Sequence, residues 1–437
     1  FTKCFRINFD YGGRSKMAQA SRRKMFKFGA AAAGGALVAA SSRVASAAVP
    51  AAPSGPLRDP WGHSLGAGVD DRPYGQPSKY EKDAIRRYVP WLAQSPQADA
   101  SFTPLQDQPG IITANGFFFE RYHAGRVSVD PAKWELMIMG LVNSPLLLKL
   151  EDLKRFPSVS RIHFLECPAN GATEWPAAQL NSLQYTHGLI ACAEWTGVKL
   201  STLLNEVGVK PEGKWLLAEG GDGSHLTRSI PMEKAMDDCI VAWGQNGEAL
   251  RPEQGYPVRL IVPGWQGNQM VKWLRRLEIG TSPWYTHEET ASYTELLPNG
   301  KALGFTWVAE AKSVISFPCP EKPLTGGPGF YEVRGFAWTG RGKIKAVDVS
   351  FDGGVNYTRA ALQEPVLDKC MTRFTVPWHW DGKPAMIQSR ATDETGYVQP
   401  TIVEARAVMG TAAVYLNNAI QTWNVLADGS VNNVQLG

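Results

Sequence analysis

The segment RIHFLECPANG, residues 161–171, is an apolar β-strand pattern that ends in a cysteine and a turn of proline, asparagine and glycine. A thiol at a strand end, facing a turn, can reach a ligand, whereas a thiol in mid-helix usually packs into a core. From these residues alone, a functional Cys167 and a buried structural Cys167 are equally supported. The segment therefore predicts a strand over residues 161–167 with a candidate functional thiol at its end.

Short strands and helices alternate on both sides of this segment, from residue 111 to about residue 304. Such a mixture is typical of one α+β domain. The polar, Pro- and Gly-rich residues 48–110 predict an extended lead-in with a short helix near residues 80–88. Within the domain, strands are predicted over residues 134–142, 161–167, 215–219 and 257–262, and helices over residues 150–156, 200–207 and 232–237.

The pattern changes after about residue 309 to short strands separated by Gly and Pro turns. Residues 343–351 alternate, with Val347 and Val349 on one face, and the Asp-Gly-Gly that follows is a strong hairpin signal. Residues 385–392 alternate again. Short strands of this kind predict a β-sandwich. The predicted fold class is therefore α+β over residues 111–308, followed by a β-sandwich over residues 309–437.

The first 47 residues predict an export signal. Met17 is the expected start, SRRKMFK at residues 21–27 precedes an apolar stretch rich in Ala and Gly, and ASA at residues 45–47 is a small-residue cleavage site. The alternative is a membrane anchor, but the stretch is shorter than the roughly 20 apolar residues that span a bilayer. We predict a twin-arginine signal, a periplasmic location and no membrane span in the mature chain.

Charge excludes one class of partner. The 437-residue chain has a formal net charge of +4, but residues 1–47 contain nine basic residues and one acidic residue, so the rest of the chain has a net charge of −4. A chain with that balance has no reason to bind nucleic acid without sequence preference. We therefore predict no nucleic-acid partner.

Several familiar motifs are absent from the sequence. It contains no C-x-x-C or C-x-x-C-H, which argues against structural zinc and against covalently attached haem. It also lacks the motifs of nicotinamide-binding proteins, serine hydrolases and zincins. The stretch GVKPEGKW at residues 208–215 approaches a phosphate loop, but Trp215 stands where Ser or Thr must reach magnesium. We interpret it as a turn.

Six segments together resemble the sulfite oxidase family of molybdenum enzymes. The resemblance implies a sulfite-oxidase-type molybdopterin domain followed by an immunoglobulin-like β-sandwich that pairs subunits. In chain order the segments are FFFERYH (117–123), the Cys167 segment, EGGD (219–222) with SIP (229–231), GYPVRLIVPG (255–264) with VKWL (271–274), VSFDGG (349–354) and GYVQP (396–400).

The resemblance also implies the cofactor and the site residues. In this family a pterin dithiolene and one protein thiolate hold molybdenum, and Cys167 matches the position of that thiolate. Arg121 and Tyr185 match positions expected to be catalytic. For each match the alternative is a surface charge or a turn residue, and for Arg259 that alternative is weak because an unpaired charge in an apolar strand is costly. The positions that match cofactor-binding residues are Phe119, Arg121, His123, Asp222, Arg259, Val271 and Lys272.

The remaining cysteines match no ligand position. Cys192 is the other candidate for the metal-binding thiol, and we predict that it packs in the core instead. The same default prediction applies to Cys239, Cys319 and Cys370. With Cys167 these make five after the predicted signal, so in an oxidising compartment at least one thiol lacks a partner within the chain.

The positions expected beside the substrate carry fewer positive charges than the sulfite-oxidising members of the family have there. Ala172 stands where the family usually has Arg, Tyr185 stands where it has Trp, and the Arg of the second domain is replaced near residue 409. When Trp284 is aligned with the Trp that precedes the family's catalytic Tyr, Glu289 or Thr290 stands in place of that Tyr. The loss of two cations weakens anion binding, because each charge-assisted hydrogen bond contributes roughly 1.5–3 kcal/mol.

A cation-poor site suits a sulfur atom carried on another protein better than a free dianion. The pattern resembles the sulfane-oxidising branch of the family. We therefore predict a molybdenum-dependent dehydrogenase that oxidises sulfane sulfur on a carrier protein, with water as the oxygen source and a c-type cytochrome subunit as electron acceptor. A homodimer through the C-terminal domain is also implied. Two alternatives stay open, a free-sulfite dehydrogenase and a non-enzymatic exported binding module.

Overall fold

The computed structural model describes Ser78, residues 80–89 and residues 98–436. The predicted export signal, residues 1–47, lies outside these residues. Within them, no helix is both long enough and apolar enough to cross a membrane.

The first part of the described chain combines short helices with several β-sheets. Its strands are β1 (Arg87–Tyr88), β2 (Asp99–Phe102), β3 (Glu120–Tyr122), β4 (Glu135–Gly140), β5 (Leu146–Lys149), β6 (Ser158–Glu166), β7 (Ile190–Lys199), β8 (Trp215–Gly220), β9 (Thr227–Pro231), β10 (Ile240–Gln245), β11 (Glu248–Ala249), β12 (Arg259–Ile261), β13 (Leu274–Gly280), β14 (Glu295–Leu296) and β15 (Ala302–Leu303). Its helices are α1 (Leu150–Leu153), α2 (Leu183–His187), α3 (Leu200–Val207) and α4 (Met232–Asp237).

Two five-stranded sheets form the core of this part. One has the order β11-β10-β7-β6 with β12 paired to β10, and the other has the order β5-β4-β13-β8-β9. In the second sheet, alternate side chains of β4 point inward, so that Leu136 and Ile138 are fully buried, and Leu277 of the neighbouring β13 lies opposite Ile138. Because Cys167 directly follows β6 and Arg259 begins β12, the first sheet positions both of these predicted site residues.

The short helix predicted near residues 80–88 is wrong. Arg87 and Tyr88 form β1, in which Arg87 lies opposite Phe102 and Tyr88 opposite Ser101 of β2. Pairing with β2 satisfies the backbone groups that a helix would otherwise bond internally. The helices predicted over residues 200–207 and 232–237, in contrast, occur with those bounds.

The second part of the described chain is a β-sandwich. Its strands are β16 (Lys312–Phe317), β17 (Gly329–Trp338), β18 (Ile344–Ser350), β19 (Thr358–Arg359), β20 (Ala361–Leu362), β21 (Thr372–Trp380), β22 (Ala385–Asp393), β23 (Thr422–Val425) and β24 (Val431–Val434), and its helix is α5 (Ile402–Met409). One antiparallel sheet has the order β16-β17-β21-β20 and the other β19-β18-β22-β23-β24. The predicted fold class, α+β followed by a β-sandwich, is confirmed.

The core of the sandwich follows the alternation of its strands. Val347 and Val349 of β18 are fully buried, as their predicted face requires. Trp338 and Trp423 belong to the buried apolar cluster of this part, and Trp423 Nε1 donates a hydrogen bond to Ile315 O at 3.0 Å. The indole donor is therefore satisfied inside the apolar core.

Candidate active site

A cavity in the first part of the chain gathers most of the predicted site residues. Gln254, Asn268 and Tyr293 also line it. It contains residues that lie in or next to β3, β6, β12 and β13, so distant parts of the chain meet there. The predicted residues in its wall are Phe119, Arg121, His123, Cys167, Asp222, Arg259, Val271 and Lys272.

Cys167 is fixed in the wall of the cavity by its backbone. Its N–H donates to Leu189 O at 2.9 Å, and its carbonyl accepts the Asn170 N–H at 2.9 Å, which closes the turn. The residue is 9% exposed, and burial raises the pKa of its thiol. The backbone thus holds the sulfur at one place, while deprotonation of that sulfur needs a compensating cation.

Arg259 presents a buried positive charge to the cavity. It is 2% exposed, and its guanidinium donates to Gln254 O, Gln254 Oε1 and Met270 O at 3.1–3.2 Å and lies 5.1 Å from the Trp195 ring. Burial lowers its pKa to about 9. Among the described residues, no carboxylate lies within ion-pair distance of Arg259, and its Nε has no hydrogen-bond partner. A buried cation in this state favours an anion beside it.

Lys272 adds a second cation to the same wall. Its ammonium donates to Arg121 O and Glu253 O, each at 3.0 Å, and lies 4.6 Å from the Trp273 ring. Desolvation, with some repulsion from Arg259, lowers the pKa of Lys272 to about 7. An anion in the cavity would reverse that shift, since a nearby negative charge favours the protonated amine.

The lowered pKa predicts a pH dependence for the cofactor-free chain. Its free energy of unfolding should increase as pH rises from about 7 towards the ordinary lysine value near 10.4. In this window the unfolded chain binds a proton at Lys272 that the folded chain has released, and stability rises with pH wherever the unfolded state binds more protons. Urea denaturation across this range measures the slope. Lys272→Met should flatten it, and equal slopes for the two proteins would contradict the assignment.

His123 links Arg121 to Tyr293. Its Nδ1 lies 3.2 Å from Arg121 Nη2, and its Nε2 lies 3.2 Å from the Tyr293 hydroxyl. Desolvation and the positive charges of Arg121 and Lys272 lower the pKa of His123 to about 4. The imidazole is therefore neutral near pH 7, and one of its nitrogens can accept a hydrogen bond.

Tyr293 is a residue that the sequence analysis missed. Tyr293 directly follows the π-helix over Glu288–Ser292, four residues beyond Glu289 and three beyond Thr290, the positions that counting from Trp284 reached. Glu289 is instead buried, with Oε2 accepting hydrogen bonds from Ser229 Oγ at 3.0 Å and Thr286 N at 3.2 Å. The available signal in the sequence was the tyrosine itself, a few residues beyond the predicted position.

Asp222 lies in the cavity wall with its carboxylate oriented by its own loop. Oδ1 accepts the Leu226 N–H at 2.9 Å, and Oδ2 accepts the Ser224 hydroxyl at 3.0 Å. Each oxygen keeps further acceptor capacity, because a carboxylate can accept about four hydrogen bonds. The loop thus holds a fixed acceptor at the edge of a cationic cavity.

Tyr185 does not line the cavity. It lies in α2, where its N–H donates to Ser182 Oγ, and its ring packs edge-on against Phe102 with centroids 5.8 Å apart. The Arg87 guanidinium lies 5.8 Å from the same ring. Tyr185 therefore contacts the β1–β2 sheet, and the tyrosines in the cavity wall are Tyr122 and Tyr293.

The second part of the chain holds the Cys167 loop, defined here as residues 167–175, from several sides. One of the contacts comes from Lys312, a buried lysine that is 1% exposed. Its ammonium lies 3.6 Å from Glu166 Oε1. Gly171 has φ of +88°, and a Cβ there would lie 3.1 Å from Lys312 Nζ. The hydrogen bonds to the loop run from Leu416 N to Pro168 O (2.9 Å), Lys312 Nζ to Asn170 O (2.8 Å), Arg406 Nε to Trp175 O (2.8 Å), Gln435 Nε2 to Glu174 O, and from Trp175 Nε1 to Tyr415 O (3.1 Å).

Models of two protein families match consecutive parts of the chain. The oxidoreductase molybdopterin binding domain matches residues 123–288, and the Mo-co oxidoreductase dimerisation domain matches residues 305–423. The crystal structure of the sulfane dehydrogenase SoxCD from Paracoccus pantotrophus is similar, with 51% sequence identity and a TM-score of 0.83. That match covers 87% of this chain and 98% of the other.

Curated relatives include longer proteins. Mitochondrial sulfite oxidase of Mus musculus is 28% identical over 352 residues, which are 74% of this chain and 64% of the mouse protein. The NADH nitrate reductase of Solanum lycopersicum is 31% identical over 335 residues, which are 67% of this chain and 36% of that protein. The chain therefore spans less than two thirds of the length of these relatives.

Proposed function

Because the chain belongs to the sulfite oxidase family of molybdopterin oxidoreductases, we propose that it is the molybdenum subunit of a sulfane dehydrogenase. The observation that carries the proposal is the 51% identity to SoxCD, which extends over 98% of that chain. The curated sulfite oxidases are more distant, at 28% identity for the mouse enzyme. Substrate, oxygen source, electron acceptor and cellular location are all part of the proposal.

The cavity residues fit the molybdenum–molybdopterin cofactor of this family. Arg259 has a buried Nε without a partner, and the buried side chain of Asn268 has no partner at either polar atom. A phosphate and a pterin ring supply the acceptors and donors that these groups lack. With Lys272 beside them, Arg259 and Asn268 would hold the anionic part of the cofactor. Asp222 would accept hydrogen bonds from its ring.

Cys167 would supply the one protein ligand to the metal. A thiolate is a soft ligand suited to molybdenum, and a bound metal cation stabilises the deprotonated sulfur that burial otherwise disfavours. Among the described residues there is no cluster of three His, Cys, Asp or Glu side chains arranged to bind a metal ion. The cofactor, when bound, supplies two-electron redox chemistry at the metal.

Close to Cys167, Arg121 and Tyr293 line the cavity, and a second cation, Arg228, lies 5.2 Å from the Tyr293 ring. Arg121 is retained, Ala172 contributes no charge, and the rings of Tyr293 and Tyr415 lie 5.3 Å apart. Tyr415 comes from the second part of the chain, and its phenol carries no positive charge. The uncharged Ala172 and Tyr415 favour a sulfur atom of low charge over a free dianion.

The proposed reaction oxidises sulfane sulfur in two-electron steps. In each step the sulfur gains one oxygen atom from water, and two protons and two electrons are released. The neutral His123 imidazole, hydrogen-bonded to Arg121 and to the Tyr293 hydroxyl, would orient that hydroxyl at the cavity wall. The electrons pass to a c-type cytochrome subunit.

The remaining parts of the proposal concern assembly and location. We propose a homodimer formed through residues 309–437, which is supported by the match to a dimerisation domain. The cofactor domain would extend over residues 111–308. Export by the twin-arginine route to the periplasm would bring the chain to its cytochrome and its carrier protein.

Steady-state kinetics with the cognate cytochrome test this function. The holoenzyme is assayed with a persulfidated carrier protein and, separately, with free sulfite at micromolar concentration. We expect efficient cytochrome reduction with the carrier. Efficient turnover of free sulfite with none on the carrier would reverse the assignment, and less than about a tenth of an equivalent of molybdenum in the purified protein would exclude the enzyme.

Tyr293→Phe should lower kcat/KM by roughly tenfold with little change in cofactor content. The change removes one hydroxyl that is hydrogen-bonded to His123, and such a bond is worth roughly 1–1.5 kcal/mol. Steady-state kinetics and metal analysis measure the two effects. Tyr285→Phe is the matched control, because Tyr285 is 62% exposed and packs against Phe305. Equal activity of the two variants would show that the Tyr293 hydroxyl takes no part in the reaction.

A further inference from the structure

Two thiols from different parts of the chain face each other in the core. Cys192 of β7 and Cys370, just before β21, have their sulfur atoms 3.4 Å apart. Cys192 is completely buried and Cys370 is 1% exposed. Contact between the sulfurs leaves no room for another group between them.

The backbone on both sides of this contact is fixed. Cys192 N–H donates to Thr113 Oγ1 at 3.1 Å, and Thr113 N–H donates to Cys192 O at 2.8 Å. Phe164, which lies opposite Cys192 in β6, donates its N–H to Lys369 O at 3.4 Å. The residue before Cys370 is therefore attached to the strand next to Cys192, and the two cysteines are held in register.

The other buried cysteines have different surroundings. Cys239 Sγ donates to Lys234 O at 3.2 Å. Cys319 exchanges backbone hydrogen bonds with Lys322 in a tight turn. Cys167 lies in the cavity wall. Among the cysteines that the structure describes, the Cys192–Cys370 pair is the one in which each sulfur contacts another sulfur.

We propose that Cys192 and Cys370 form a disulfide that joins the cofactor domain to the sandwich. Closing the bond brings the sulfurs from 3.4 Å to roughly 2.05 Å. The oxidant is a small or protein disulfide: the two thiols lose two protons and two electrons, and the oxidant disulfide is reduced to two thiols. The inference does not depend on the proposed catalytic function.

The disulfide would close a loop that contains much of the cofactor cavity. Asp222, Arg259 and Lys272 all lie between positions 192 and 370. A crosslink over so long a loop restricts the unfolded chain more than the folded one. We therefore expect the oxidised protein to have an apparent Tm roughly 5–10 °C above that of the reduced protein.

The test uses the full chain with its cofactor, purified under reducing conditions and then incubated with oxidised glutathione. Because both sulfurs are buried, the incubation is repeated at urea concentrations up to just above the unfolding transition, so that the oxidant reaches them. After an acid quench, free thiols are alkylated and the protein is digested without reductant. Mass spectrometry should detect one peptide pair that joins Cys192 to Cys370 and lacks two hydrogens.

Two variants make the result specific. Cys239→Ser should form the same linked peptides, while Cys370→Ser should leave Cys192 alkylated and should show no change of Tm with oxidant. If Cys192 and Cys370 carry alkyl or glutathione groups at every urea concentration, the proposal is wrong. If a variant fails to fold, the comparison of oxidised with reduced wild-type protein still tests the proposed disulfide.

Discussion

Cys167→Ser is expected to leave a folded protein whose turnover is lower by roughly 100-fold or more. A hydroxyl is a hard and weakly acidic ligand that poorly replaces a soft thiolate on molybdenum, and even changes beyond the ligand sphere cost 10–100-fold in metalloenzymes. The backbone bonds that fix residue 167, to Leu189 and Asn170, do not involve the side chain. Steady-state kinetics measures the loss of activity, molybdenum analysis measures the metal content, and circular dichroism shows whether the variant is folded.

Cys239→Ser is the matched control for that experiment. Cys239 is 1% exposed, and a serine hydroxyl can also donate to Lys234 O, so activity should be retained. Cys192→Ser tests the rival thiol. If Cys167→Ser kept full activity while Cys192→Ser abolished it, the ligand assignment would be wrong.

Lys312→Met is expected to lower the free energy of unfolding by about 3–5 kcal/mol. Lys312 donates to Asn170 O at 2.8 Å and to Asn417 O at 2.6 Å, and it lies 3.6 Å from Glu166 Oε1. The methionine removes the counter-charge of a buried carboxylate and leaves two carbonyl groups without their donor. Glu166 keeps hydrogen bonds only from neutral donors, Trp338 Nε1 and Asn170 Nδ2. Chemical denaturation of the cofactor-free chain measures the loss.

A double variant distinguishes loss of charge balance from loss of packing. Glu166→Gln combined with Lys312→Met removes both charges, so the protein should recover part of the lost stability. If Lys312→Met alone costs less than about 1 kcal/mol, Lys312 does not support the Cys167 loop in this way. An exposed control is Lys383→Met, since Lys383 pairs with Asp381 at the surface.

Helices with a strong apolar period could be predicted from the sequence. In α3, Leu200, Leu203, Leu204 and Val207 are all fully buried, and their spacing is that of one helical face. The segment at residues 80–88 lacked such a face, and pairing with β2 decided its structure. Local periodicity therefore predicts an element where the core lies along one face and fails where a distant strand is the partner.

Residues of the candidate site could be placed from the sequence where its spacing is preserved. Cys167 and Arg259 follow or begin strands in unbroken motifs, so each could be placed by its neighbours. Tyr293 lies three or four residues beyond the position that spacing from Trp284 predicts, and local patterns did not place it. Lys312 begins a strand of the sandwich, and nothing in the sequence shows that its ammonium reaches the carbonyl of Asn170. Such contacts depend on how two domains pack, which local patterns do not contain.

The hydrogen bonds between the Cys167 loop and the second part of the chain have a consequence for cooperativity. Family models divide the chain near residue 300, yet the described residues from Ser78 onward form one compact unit. A chain cut after residue 308 would lose Lys312, Arg406 and Leu416, and with them the bonds that order the loop. We therefore expect unfolding to be cooperative across the boundary between the two family matches, with neither half melting independently of the other.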